Sequence, residues 1–143
     1  MGRLTGLPTA LITDDSALGG STIEKSLRFN DGDSAYLRRT PSSAGNRKTF
    51  TYSCWFKRGN LGIQSGAFLK AGSASSNYFK INIANDDKLY VLATIGGSYT
   101  EYLRSERLFR DTSAWMHLVL RWDTTNSTAA DRVIVYINGS RIS

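Results

Sequence analysis

The chain has 143 residues, 41% hydrophobic and 21% charged, with a formal net charge of +6, a size that suits one domain burying about two-thirds of its extended surface. No apolar run approaches the ~18 residues of a membrane-crossing helix, so membrane insertion is not expected. Twelve of the eighteen basic residues are arginine, yet the densest groups (Arg38-Arg39, Arg47-Lys48 and Arg104 to Arg110) form no run of five and accompany no recognition-helix pattern, so nucleic-acid binding is not expected.

Residues 1–24 show neither the helical nor the strand period and are rich in Gly, Thr and Ala. They lack the uninterrupted apolar core of a signal peptide. We read residues 1–25 as an extended docking arm that cannot close a core of its own. A partner would hold it either by strand addition at Leu11-Ile12 or by burial of Leu4, Leu7 and Leu18.

From residue 26 alternation is regular. Leu27 and Phe29 share a face of "SLRF", and Ala35 and Leu37 a face of "SAYLRR". "TFTYSCWFKR" sets Phe50, Tyr52, Cys54 and Phe56 against Thr51, Ser53, Trp55 and Lys57. "NYFKINIA" sets Phe79, Ile81 and Ile83 against Tyr78, Lys80 and Asn82. "KLYVLATI" sets Leu89, Val91, Ala93 and Ile95 against Tyr90 and Thr94. "TEYLRS" is a weaker strand. "AWMHLVLRWD" sets Met116, Leu118, Leu120 and Trp122 against Trp115, His117, Val119 and Arg121. "RVIVYI" follows, and Asn138-Gly139 after it is a strong hairpin signal, because both central residues of a type I′ turn need φ > 0.

The intervening stretches, such as "NDGDS", "TPSSAGN", "KAGSASSN" and "DTTNSTAAD", are dense in turn formers. No stretch carries a helical stripe. Many short strands at this spacing mean an all-β sandwich or barrel. The expected core is Leu27, Phe29, Leu37, Phe50, Tyr52, Phe56, Phe79, Ile81, Leu89, Val91, Leu118, Leu120, Val133 and Val135.

Two stretches carry a family resemblance. "SLRFNDGDSAYLRRTPSSAGNRKTFTYSCWFKRG" and "RDTSAWMHLVLRWDTTN…DRVIVYINGSRI" resemble, in order and turn placement, the concanavalin A-like lectin/glucanase jelly roll of the laminin-G-like group. The resemblance covers residues 26–143. It implies a two-sheet antiparallel jelly-roll sandwich, and further strands after Ser143 that complete the sheets. More narrowly, "FNDGDSAYLRRTPSSAGNRKTFTYSCWFKRG" looks like the version found in structural proteins of tailed bacteriophages. That implies a virion protein, made in the host cytoplasm, whose partners are other virion proteins, copies of itself and a host surface glycan. The other reading is a carbohydrate-binding lectin module.

Glucanases of this superfamily use a carboxylate pair about 5–9 Å apart. Glu101 and Glu106 are five apart, on opposite faces of a regular strand, so no catalytic residue is expected. "NDGDS" offers too few oxygens for the six to eight that calcium takes, and "ANDDK" reads likewise as a capped turn. His117, the only histidine, has no second soft ligand for zinc and no evident nucleophile partner. Cys54, the only cysteine, excludes a disulfide within the chain and falls in the apolar set, as an inert thiol would. No metal or cofactor is expected. The remaining candidates are aromatic residues off the apolar faces beside polar ones, the composition of a sugar site. The glycan-binding set is Trp55, Tyr90, Tyr102 and Asn82.

Overall fold

The computed structural model describes residues 25–63 and 66–143. The arm residues Leu4, Leu7, Leu11, Ile12 and Leu18 lie outside them. The chain divides after Ser42 into two units.

In the described part of the first unit, residues 25–42, a single 3-10 turn at Asp31–Asp33 is the only regular element. It closes through an Asp33 N–H bond to the Asn30 carbonyl at 3.3 Å and an Asn30 side-chain bond to Asp33 Oδ2 at 2.9 Å, with Ser34 left-handed at φ 49°. The expected strands at "SLRF" and "SAYLRR" do not form. Leu27 (68%), Phe29 and Leu37 (75%) are exposed rather than in the core. A strand requires a partner for its ladder, and no paired strand includes any of these residues.

The second unit is a two-sheet antiparallel sandwich. β1 (Thr49–Phe56), β6 (Met116–Asp123), β7 (Val133–Ile137) and β8 (Ser140–Ile142) form the first sheet in the order β1-β6-β7-β8. β2 (Ala67–Ala74), β3 (Asn77–Ile83), β4 (Lys88–Ile95) and β5 (Ser98–Leu108) form the second in the order β2-β3-β4-β5. Asn138 and Gly139 have φ 51° and 79°, the double positive φ that turns β7 back into β8. The edges of the two sheets meet where Glu106 N–H of β5 donates to the Ser143 carbonyl at 2.9 Å.

The core lies between the sheets. Phe56, Met116, Leu118, Leu120, Trp122, Val135 and Ile137 of the first sheet face Ile81, Ile83, Leu89 and Val91 of the second, with Phe109 beside them. Phe50, Tyr52, Cys54, Phe79 and Val133 pack around this cluster, half-buried. Each fully buried aliphatic side chain contributes roughly 1.5–3 kcal/mol. Trp122 is the aromatic hub: Phe50 stacks on it at 5.8 Å, and Phe79 and Tyr102 meet it edge-on at 5.0 and 4.9 Å. The Tyr52 hydroxyl crosses between sheets to the Phe68 carbonyl at 2.8 Å.

β2 had no counterpart in the alternation. Its register shifts between Ala67 and Leu69 and again between Gly72 and Ala74, and each irregularity breaks the two-residue period.

One end of the sandwich is tied by an ionic cluster that the turn reading of "ANDDK" did not anticipate. Asp87, left-handed at φ 61° and 4% exposed, accepts from Gly62 N–H (3.0 Å), Arg58 Nη2 (3.1 Å) and Arg110 Nε (3.0 Å). Arg58 is also buried. It donates onward to the carbonyls of Phe109 (3.0 Å) and Asn60 (2.7 Å). The Gly62 amide and the two guanidiniums hold the Asp87 carboxyl below the ordinary carboxylate range, against the opposing effect of burial.

Candidate functional site

The four residues of the expected glycan-binding set separate onto three places. Two of them meet.

Trp55 lies on the outer face of the first sheet, 40% exposed. Its ring stacks on the His117 imidazole, its cross-strand partner, at 4.8 Å and 18°. Ser53 Oγ is 2.8 Å from His117 Nε2, so the histidine does have a hydroxyl neighbour, contrary to expectation. Residues 53 and 117 sit diagonally across the β1–β6 ladder, within reach of a side-chain bond. The Asn138 side chain accepts the His117 N–H at 2.8 Å and ties the hairpin turn to this spot. A serine and a histidine are the first two members of a nucleophile–base–orienter arrangement. Among the described residues no ion pair joins a carboxylate to the histidine.

Tyr102 is not on an outer face. The β4–β5 register shifts so that Leu92 pairs with Glu101 and Val91 with Leu103, which leaves Tyr102 as the extra residue of a bulge. A bulge re-aims the side chain, and Tyr102 turns onto the edge of Trp122 at the sandwich rim, 39% exposed.

Tyr90 and Asn82 are cross-strand partners on the outer face of the second sheet. Asn82 is not a surface contact: it is 1% exposed, and its Oδ1 is buried with no hydrogen-bond donor. Leu92 and Thr94 complete a buried floor on this outer face, outside the core cluster between the sheets. Tyr78 and Lys80 stand half-buried on the same face, since side chains two apart on a strand share a side. Tyr99, opposite Thr94, is exposed.

The charges around this floor are partly tied. Asp86 Oδ2 accepts from the Tyr90 hydroxyl at 2.8 Å and from Arg104 Nη2 at 2.9 Å, and Arg104 lies 5.5 Å over the Tyr90 ring. Burial pushes the Asp86 carboxyl up, but the bonds from Arg104 and Tyr90 outweigh it and hold it below the usual range. Burial, then the neighbouring Asp86, raises the Tyr90 hydroxyl. Burial lowers the Lys80 ammonium. Lys70, its partner across the β2–β3 ladder, lies 5.0 Å over the Tyr78 ring.

Cys54 is half-buried, and burial raises its thiol. Among the described residues no cluster of three or more His, Cys, Asp or Glu is placed to hold a metal ion, and no helix is long and apolar enough to cross a membrane.

A laminin-G family model of the concanavalin A-like lectin/glucanases superfamily matches residues 31–143. The chain belongs to that superfamily. The two antiparallel sheets are those of its jelly-roll sandwich. Neither the curated proteins nor the solved structures supply a match to this concanavalin A-like chain. The outer face of the second sheet carries tyrosine rings beside an amide, an ammonium and a guanidinium.

Proposed function

We propose that the chain is a non-catalytic, lectin-like module that binds a glycan across the outer face of β2–β5. The observation that carries this reading is the buried, unpaired Oδ1 of Asn82 on the face it shares with Tyr78, Lys80 and Tyr90. A buried acceptor without a donor costs about 1–3 kcal/mol. Sugars present dense hydroxyl donors beside apolar ring faces. The tyrosine rings give flat apolar walls at little conformational cost.

The test is glycan-array binding by the protein and two single variants. Tyr90→Ala should weaken binding about tenfold or more, whereas Trp55→Ala, on the other sheet, should leave it intact. Binding lost only with Trp55→Ala moves the site to the first sheet, and the absence of any glycan ligand ends the reading.

We also propose the setting: an appendage, fibre or decoration component of a phage virion, docked through its N-terminal region. Two things support it, the likeness of residues 29–59 to structural proteins of tailed phages and the exposed Leu27, Phe29, Tyr36 and Leu37 within residues 25–42. Apolar side chains clustered in sequence and open to water favour burial by a partner. Deletion of residues 2–24 should leave the sandwich folded by circular dichroism and abolish incorporation into particles; normal incorporation refutes the docking role.

A further inference from the structure

The proposed glycan face carries an unbalanced charge along its β2–β3 side. Lys70 and Lys80 stand directly opposite each other on β2 and β3. Like charges at such a position repel. The cations of the four ion pairs among the described residues are Arg58, Arg104, Arg110 and Arg141, so neither lysine has a carboxylate partner there. Glu101 shares the row through Leu92 but is two strands from Lys80, about 10 Å by strand spacing, and it accepts instead from the Tyr99 hydroxyl at 3.4 Å. Asp86, in the turn between β3 and β4, is engaged by Arg104 and Tyr90.

Lys80 is also partly withdrawn from water, and burial disfavours its charged form, with Tyr78 opposing that effect and Lys70 adding to it. A half-buried ammonium opposite a second ammonium is a costly arrangement unless an anion completes it. Two residues along β3 lies the Asn82 acceptor, which needs a donor.

We infer that the ligand is an acidic glycan, with the carboxylate or sulfate of one sugar seated between Lys70 and Lys80 and a hydroxyl of the same or the next sugar directed at Asn82. The inference rests on the glycan-binding reading and specifies its substrate class. A neutral sugar satisfies the amide but leaves the lysine pair uncompensated. A free anion compensates the lysines but brings no hydroxyl to Asn82. Only a ligand holding both groups one sugar length apart, roughly the 7 Å between residues i and i+2 of a strand, meets both needs.

The experiment measures binding of oligogalacturonate, dextran sulfate and neutral dextran to the intact chain by calorimetry at two salt concentrations, with the variants Lys80→Met, Asn82→Leu and Lys57→Met. Methionine keeps the length and packing of Lys80 without its charge. Lys57, which follows β1, is the control for the general attraction of a +6 protein to polyanions. At least one acidic polymer should bind, the other arm showing whether carboxylate or sulfate is preferred, and neutral dextran should not. Lys80→Met should weaken acidic binding about ten- to a hundredfold, the worth of one charge-assisted hydrogen bond, and reduce its salt dependence. Asn82→Leu should weaken it as well, and Lys57→Met should not. Equal binding of neutral and acidic polymers overturns the acidic specificity and leaves the glycan-binding reading standing. Equal losses from Lys80→Met and Lys57→Met mean non-specific polyelectrolyte attraction and overturn the inference. Binding of none of the three, with unchanged circular dichroism, counts against both.

Discussion

Residues 25–42 and the strand β6 carry the same kind of pattern, and only one of them is a strand. Leu27 and Phe29, like Leu118 and Leu120, are apolar residues two apart. Leu118 and Leu120 are fully buried; Leu27 and Phe29 are exposed. The difference lies in what each stretch meets. β6 is central in its sheet, paired with β1 on one side and β7 on the other, and its apolar face is opposed by the second sheet. Residues 26–29 belong to no ladder. Alternation therefore specifies which face is buried once a strand forms. It does not specify that a partner is present.

The sharpest way to test that contrast is truncation in the two regions. Leu118→Ala should destabilise the sandwich by about 2–5 kcal/mol, the range for a cavity in a packed core, read as a drop in the denaturant midpoint at unchanged slope. A loss below 1 kcal/mol would show that the space between the sheets collapses freely.

Much of the sandwich was legible in the sequence because its long strands are regular. β1, β3, β4, β6 and β7 were all visible in the alternation, and eleven of the fourteen expected core residues line or flank the core. The exceptions are Leu27, Phe29 and Leu37, whose fate depends on a partner rather than on their own spacing. β2 was hidden by its two register shifts, and the extra residue in β5 turned Tyr102 from the expected outer face to the rim. The site was half legible. Tyr90 and Asn82 share a face because period-two placement held on β3 and β4, whereas the depth of Asn82 depends on three-dimensional cover that no one-dimensional pattern records. Asp87 was read as an ordinary turn residue, since its arginine partners are 29 and 23 positions away in sequence.

Asp87 supplies the second prediction. Its carboxyl is depressed relative to an unfolded value of about 3.9, so it binds a proton less readily when folded. Its contribution is fully present above that unfolded value and is lost as pH falls through the lower folded one. Asp86, Asp111 and Asp123 are depressed too and act with the same sign. The melting temperature should therefore hold from neutral pH to about 5 and fall below about 4. Asp87→Asn should melt lower at pH 7, because Arg58 keeps a buried charge with a weakened partner, and should show a shallower acid decline. An unchanged acid slope would remove Asp87 from the account.

A smaller effect is expected at Gly72. Its φ of +135° lies where L side chains are rare, and an added Cβ would stand 2.6 Å from the Tyr78 Cα, against backbone that cannot move aside. Gly72→Ala should cost about 1–3 kcal/mol and loosen the β2–β3 pairing, visible as faster amide exchange in β2 than in β4. Because Lys70 is held by that pairing, the same variant should also weaken acidic-glycan binding. Stability equal to the original chain would mean that β2 is not held in this register.

The smallest effect is expected in residues 25–42, where it discriminates most. Leu27→Ser and Leu37→Ser remove side chains that are already 68% and 75% exposed. Surface changes of this kind fall within about ±0.5 kcal/mol, so the double variant should melt with the original protein. Its behaviour in assembly should differ. If the exposed apolar side chains of residues 25–42 are the surface that a partner covers, replacing two of them with serine removes roughly 1.5–3 kcal/mol of burial apiece from that contact, enough to weaken docking by an order of magnitude or more. Incorporation into particles, or self-association followed by analytical ultracentrifugation, should then fall while glycan binding by the sandwich is untouched. A loss of stability instead would mean that Leu27 and Leu37 pack in solution as the alternation first suggested. Unchanged stability together with unchanged association would mean that their exposure serves no contact, and the contrast between the two regions would reduce to the lack of a ladder partner.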